Sequence, residues 1–142
     1  MPIRLLYSKE PVWVDIGSGA ALLCEVPTTM RVWAARAKAD RLLAELKDAA
    51  LVITDAGGTI TGAPDLTDAD HEDAVRQALF VAALSEIVAV DWRGVLSDDA
   101  EGTPLGFDRA MLSELLSAEH ASTLFLANYL RPITEVDDAK KD

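Results

Sequence analysis

Residues 30–50 read MRVWAARAKADRLLAELKDAA, and their spacing decides the architecture. Val32, Ala35, Ala39, Leu42, Leu46 and Ala49 recur at intervals of three and four, the period of one helix face. Arg36, Lys38, Asp40, Arg41, Glu45 and Lys47 fill the other side. Pro27-Thr28-Thr29 ends the preceding segment and supplies a helix cap. Towards the N-terminus, residues 12–16 and 20–26 are β-prone and meet at Gly17-Ser18-Gly19, a strand–turn–strand unit. Residues 3–7 form another β-prone run, and Pro11 places Val12 onward on a new or edge strand.

Towards the C-terminus the helical period lapses. Residues 51–66 hold four glycines or prolines and two short β-prone pieces, 51–54 and 59–61, around Gly57-Gly58. A loop is expected there in preference to a hairpin. Thr67-Asp68-Ala69-Asp70 then opens a second helix, with acids in the turn where the helix dipole favours them. Residues 78–84 are apolar nearly all round, which predicts the most buried helix of the chain. Residues 87–96, with Trp92 and Gly94, pass from a helix end into an extended segment, and 98–102 make a turn. Asp108 caps a third helix over 109–117, and a fourth runs from about Ala118 to Leu130, where Arg131-Pro132 stops it. The expected fold is α+β, mainly α: four helices, a small N-terminal antiparallel β unit, and a short extended segment between helices two and three. One domain spans 1–133, with the β unit in 1–27, and 134–142 form a charged flexible tail.

Composition narrows the function. The 142 residues carry 24 acidic and 13 basic side chains, a formal charge of −11. Nucleic acid and anionic membranes are bound through clustered Lys and Arg, so neither is an expected partner. A single cysteine, Cys24, sits in an apolar stretch and reads as a small core hydrophobe. No signal-peptide pattern and no uncharged run of about 18 apolar residues is present, which points to a cytoplasmic protein.

The candidate chemical sites each lack a part. Residues 53–60 are similar to the aspartate loop of haloacid-dehalogenase phosphatases, but the second acid that should follow Asp55 by two positions is Gly57. Asp65, Asp68, Asp70, His71 and Asp73 are dense in oxygen ligands without the central glycine and closing Glu of a calcium loop. Asp98, Asp99 and Glu101 before Gly102 read as a solvated turn. His71 and His120 have no neighbour at metal-ligand spacing, and Gly17-Ser18-Gly19 is not a phosphate loop. No catalytic residue, cofactor or metal is therefore expected, and the chain reads as a protein-binding protein. Trp13, Trp33, Trp92 and Tyr129 all lie in apolar patterns that suit a core; Trp92 is the one best placed to line a groove instead.

The C-terminal half carries a longer pattern. Trp92-Arg93-Gly94-Val95 is followed by Asp98-Asp99-Ala100-Glu101-Gly102-Thr103-Pro104-Leu105, then Phe107, a Leu-rich helix over 111–116, and a helix closing on Tyr129-Leu130 and Pro132. In this the chain resembles the tail assembly chaperones of long-tailed bacteriophages and prophages. Glu10-Pro11-Val12-Trp13 and the Pro27-Thr28-Thr29 step into an Ala-rich helix fit the same pattern. The charged end from Asp137 to Asp142 departs from the short basic, Asn-containing tail expected of such proteins. The resemblance implies a helical protein that coats the tape measure protein before the tail tube polymerises, and that is absent from the finished particle. Trp92, Val95, Leu105, Phe107 and Tyr129 are the residues expected to line the partner groove. The alternative expectation is a structural virion component, such as a minor tail or head–tail connector protein.

Overall fold

The structure, a computed structural model, describes residues 10–58 and 66–130. The β-prone runs at 3–7 and 59–61 and the tail at 134–142 lie outside them. Strand β1 (Val12–Gly17) and strand β2 (Ala20–Cys24) form an antiparallel hairpin, in which the Asp15 carboxylate accepts a 2.9 Å hydrogen bond from the Gly17 amide. Helix α1 (Thr29–Asp55) and helix α2 (Ala69–Val88) follow, and α2 runs straight into strand β3 (Ala89–Arg93). A 3-10 turn (Arg109–Met111), the short helix α3 (Leu112–Leu115) and helix α4 (Glu119–Tyr129) complete the described chain. The fold is therefore α+β and mainly α, as the periodicities imply.

The extended segment after the second helix is a sheet strand. β3 pairs antiparallel with β2, placing Leu22 opposite Trp92, and gives a three-stranded sheet of order β1-β2-β3. The all-apolar sequence of β2 suits its central position: its hydrogen bonds go to a strand on each side. Val14, Ile16, Ala20, Leu22, Cys24, Ala89 and Trp92 join Ala35, Ala39, Phe80, Leu84, Leu112, Phe125 and Tyr129 in one core.

Helix α1 is longer than its sequence pattern suggests. Residues 51–54 continue the helix, since adding a residue to an existing helix costs little beside starting one. Gly57-Gly58 then closes it as a Schellman cap. The Gly58 amide donates to the Ile53 carbonyl at 2.9 Å and the Gly57 amide to Thr54 at 3.0 Å, with Gly57 at a φ of 83°. At the other end the Thr28 hydroxyl accepts from the Arg31 amide at 3.2 Å. The ion pairs Lys38–Glu86 (3.2 Å) and Lys47–Glu72 set α1 and α2 antiparallel. The buried face of α1 is Ala35, Ala39 and Leu43, rotated slightly from the expected set. Leu46 lies on the same side but is half exposed, because it sits near the end where α2 begins with polar turns.

The expected third helix is reduced to a 3-10 turn and four α-helical residues. Asp108 does cap it, accepting from the Ala110 amide at 3.0 Å. The helix stops because Leu116 leaves helical geometry and Ala118 is extended before α4 starts. Helix α4 is tied to the hairpin by two side chains. Asn128 donates to the Asp15 carbonyl at 2.8 Å, and the Tyr129 hydroxyl donates to the Glu25 carbonyl at 2.8 Å.

Trp92 is buried on the inner face of the sheet, where its indole N–H donates to the Leu105 carbonyl at 2.8 Å and Phe107 meets it edge to face at 5.2 Å. Gly94 next to it has a φ of 72°, and a Cβ there would collide with the Gly19 carbonyl. Trp92→Ala is expected to cost about 3–5 kcal/mol, and Trp92→Phe, which keeps most of the volume, distinctly less. Urea denaturation of both variants checks this. Gly94→Ala, which meets both the strained φ and the Gly19 backbone, should lower the midpoint clearly as well.

Candidate partner-binding surface

Four of the five residues expected to line a partner groove come together. Trp92 touches Phe107 and the Leu105 backbone, and the Leu105 amide donates to the Val95 carbonyl at 2.9 Å. These contacts close residues 95–105 into a small arm. Leu96 bridges Pro104, the Ser97 amide donates to Thr103 at 2.7 Å, and Asp99 caps the tip by accepting from the Gly102 amide at 2.8 Å. Trp92 is buried, Val95 and Phe107 are half buried, and Leu105 is 42% exposed. Tyr129 stands apart: it is buried on α4, stacked on Phe125 at 5.5 Å with its hydroxyl on Glu25. Trp92 and Tyr129 thus spend their surface on the core, which needs large side chains with a partner for each polar tip.

The acidic clusters have local work. The Ser97 hydroxyl, then the Thr103 and Gly102 amides, hold the Asp99 carboxyl below the usual range. Asp68 caps α2, accepting from the Asp70 amide at 2.8 Å. No group of three or more His, Cys, Asp or Glu among the described residues is arranged to hold a metal ion. Asp55 is the exposed last residue of α1. A polar recess of about 480 Å³ lies between α1 and α2, lined by Arg36, Asp40, Lys47, Glu72 and Arg76 beside Phe80. Its charges are matched. Arg76 pairs with Asp40 at 3.2 Å, Arg36 lies 4.7 Å over the Phe80 ring, and the hydrogen bond from Lys47 holds the Glu72 carboxyl low.

The larger concavity is apolar and was not anticipated. A groove of about 740 Å³ runs between α2 and the α3–α4 segment. Val81 and Leu116 are buried beneath it, Val75, Leu79 and Leu126 are half buried along it, and Ala78 is exposed. Ala74, Ala78 and Ala82, four residues apart, line it from α2 and present little side-chain bulk. The signal lay in the stretch 78–84. As its apolar sequence implies, α2 has the most buried residues of the described helices, yet within this stretch Leu79 and Ala82 are only half buried and Ala78 is exposed. The remaining side of α2 faces the groove. Among the described residues no helix is long and apolar enough to cross a membrane, so this surplus is not a span.

Burial pushes the Cys24 thiol up to about 12, leaving it roughly a thousandfold poorer in thiolate than at its ordinary value. Alkylation of native protein at pH 8 should be slow and become fast in denaturant, read by mass spectrometry. Asp99, with its carboxyl held low, contributes stability above the ordinary carboxylate range and loses it as the pH falls through the folded-state value. Asp99→Asn should accordingly flatten the acid side of a stability–pH profile while leaving its slope above pH 7 unchanged. Compared with protein-family models, curated proteins and solved structures, the chain matches none.

Proposed function

We propose that this chain is a non-enzymatic tail assembly chaperone of a long-tailed bacteriophage or prophage, which binds the tape measure protein in the host cytoplasm before the tail tube polymerises. The observation that carries the reading is the open apolar groove between α2 and α3–α4. A helix laid in such a groove is read through anchors three and four residues apart, and a row of alanines lets its backbone come close. Ala74 to Ala82 spans about 12 Å of α2, room for roughly two turns of a partner helix. Small, repeated binding sites suit a long helical client better than one extended interface would.

The charge supports the same reading. A net −11 keeps the chain soluble while apolar surface is exposed. The motifs from Trp92 to Phe107 support it through the family resemblance, with a structural part in holding the 95–105 arm against the core. The Leu96 and Leu105 side chains exposed on that arm offer a second, smaller contact for the same client.

Co-expression with the tape measure protein tests the reading. The wild-type chain should keep the long protein in the soluble fraction and co-purify with it. Ala78→Arg places a charge in the groove at an exposed position, so it should leave the melting temperature within a few degrees while weakening capture at least about tenfold, or 1.4 kcal/mol. A tape measure protein equally soluble without this chain would sink the proposal. So would stoichiometric recovery of the chain in finished particles, which is what a structural virion component predicts.

A further inference from the structure

The side of α1 that faces away from α2 carries the most exposed large apolar residues among those described. Met30 is 81% exposed, Trp33 68%, Leu51 61% and Val52 69%. At 100° per residue they share one side of the helix with Ala34 and Ala37, and Ala44 lies at its edge, where it also lines the recess between α1 and α2. This side is opposite Ala35, Ala39 and Leu43, so no folding of α1 onto the sheet could bury both. It is also separate from the groove between α2 and α3–α4.

All but one of the basic side chains of α1 are engaged within the fold. Arg31 pairs with Glu25, Lys38 with Glu86 and Lys47 with Glu72, and Arg36 stacks on Phe80. Arg41 and Asp48 take part in no ion pair among the described residues, and both are exposed. They lie two turns apart on one line of the helix, with Ala44 and Glu45 midway between them. A two-fold axis through that midpoint sets a second α1 antiparallel to the first and brings each Arg41 opposite the other copy's Asp48. It also brings Ala37 opposite Val52, and the Met30–Trp33 end of one helix towards the Leu51 end of the other. Ala44, beside the axis, allows close approach, and the antiparallel setting aligns the helix dipoles favourably.

We infer that the outward face of α1 is a homodimerisation surface, taken up by α1 of a second copy in antiparallel, two-fold arrangement with paired Arg41–Asp48 contacts. An isologous interface requires this kind of self-complementarity, whereas a client helix would not require the opposite charges to be placed symmetrically about one point of the helix. A strip about 40 Å long and about 10 Å wide gives roughly 400 Å² per copy, about half of a standard specific interface and in the class of weak, transient ones. The dimer is therefore weak and reversible. Two client grooves per dimer would bind a long client with avidity.

Sedimentation equilibrium of the full chain from about 5 to about 500 µM should show a monomer–dimer equilibrium. Arg41→Asp and Asp48→Arg should each weaken it at least about tenfold, and the double variant should restore it. Ala44→Cys should form a disulfide-linked dimer under mild oxidation, faster than Ala34→Cys, whose counterpart across the axis is Asp55; native Cys24 is buried and does not compete. A wild-type chain that stays monomeric at the highest concentration overturns the inference, as does equal cross-linking at positions 34 and 44. If the chain is monomeric and Trp33→Glu abolishes tape measure co-purification, the face belongs to the client and the dimer is likewise refuted.

Discussion

Strand β2 has a neighbour on each edge, and Ala20, Ala21, Leu22 and Cys24 are all buried. A buried backbone needs a partner for each N–H and C=O, and the adjacent β1 can serve only one edge. The other edge takes β3, which comes from far along the chain. Helices α1 and α2 are the connection that brings it there, and α2 enters β3 without a loop. The Glu25 amide donating to the Val88 carbonyl at 2.8 Å locks that junction beside the end of β2. Trp92, Gly94 and the 95–105 arm are all positioned by this one pairing, since each follows directly from where β3 lies. Gly94 approaches the Gly19 backbone so closely that only a residue without a side chain fits.

The same connection leaves apolar surface uncovered. Two antiparallel helices and a small sheet can bury one side of each helix, but α1 and α2 both carry apolar residues on more than one side. On α2 the surplus becomes the wall of a groove, because α4 is held to the hairpin by Asn128 and Tyr129 and does not close over Ala78. On α1 the surplus is a flat outward strip with Trp33 and Leu51. Exposed apolar surface of this extent on a strongly charged chain fits a protein whose work is to contact other helices. The two surfaces differ: one is a groove between elements, the other the outward side of a single helix.

Helix existence and type were legible from periodicity for α1, α2 and α4, and the β1–β2 hairpin from its turn residues. The Asp68 and Asp108 caps were equally plain. Helix ends were harder. Gly57-Gly58 can serve a hairpin or a Schellman cap, and the choice turned on whether 51–54 extended an existing helix, a cooperative property no short window contains. Leu116 and Ser117 looked helical, yet the chain turns there, with Leu112, Leu116 and Phe125 in one core.

Spacing alone thus made legible the class of α1, α2, α4 and the β1–β2 hairpin, and the polarity of their faces. These depend on neighbours within a few residues, and so on the local physics of helix and strand. Which apolar face would be covered was decided only by the three-dimensional arrangement. Trp92 and Tyr129 went to the core because the indole N–H and phenol O–H found carbonyls at Leu105 and Glu25. Ala78 and Trp33 are exposed because no element among the described residues covers them. Hydrophobic burial has no direction of its own. The topology set by β2–β3 pairing chose which surfaces it used and which it left exposed.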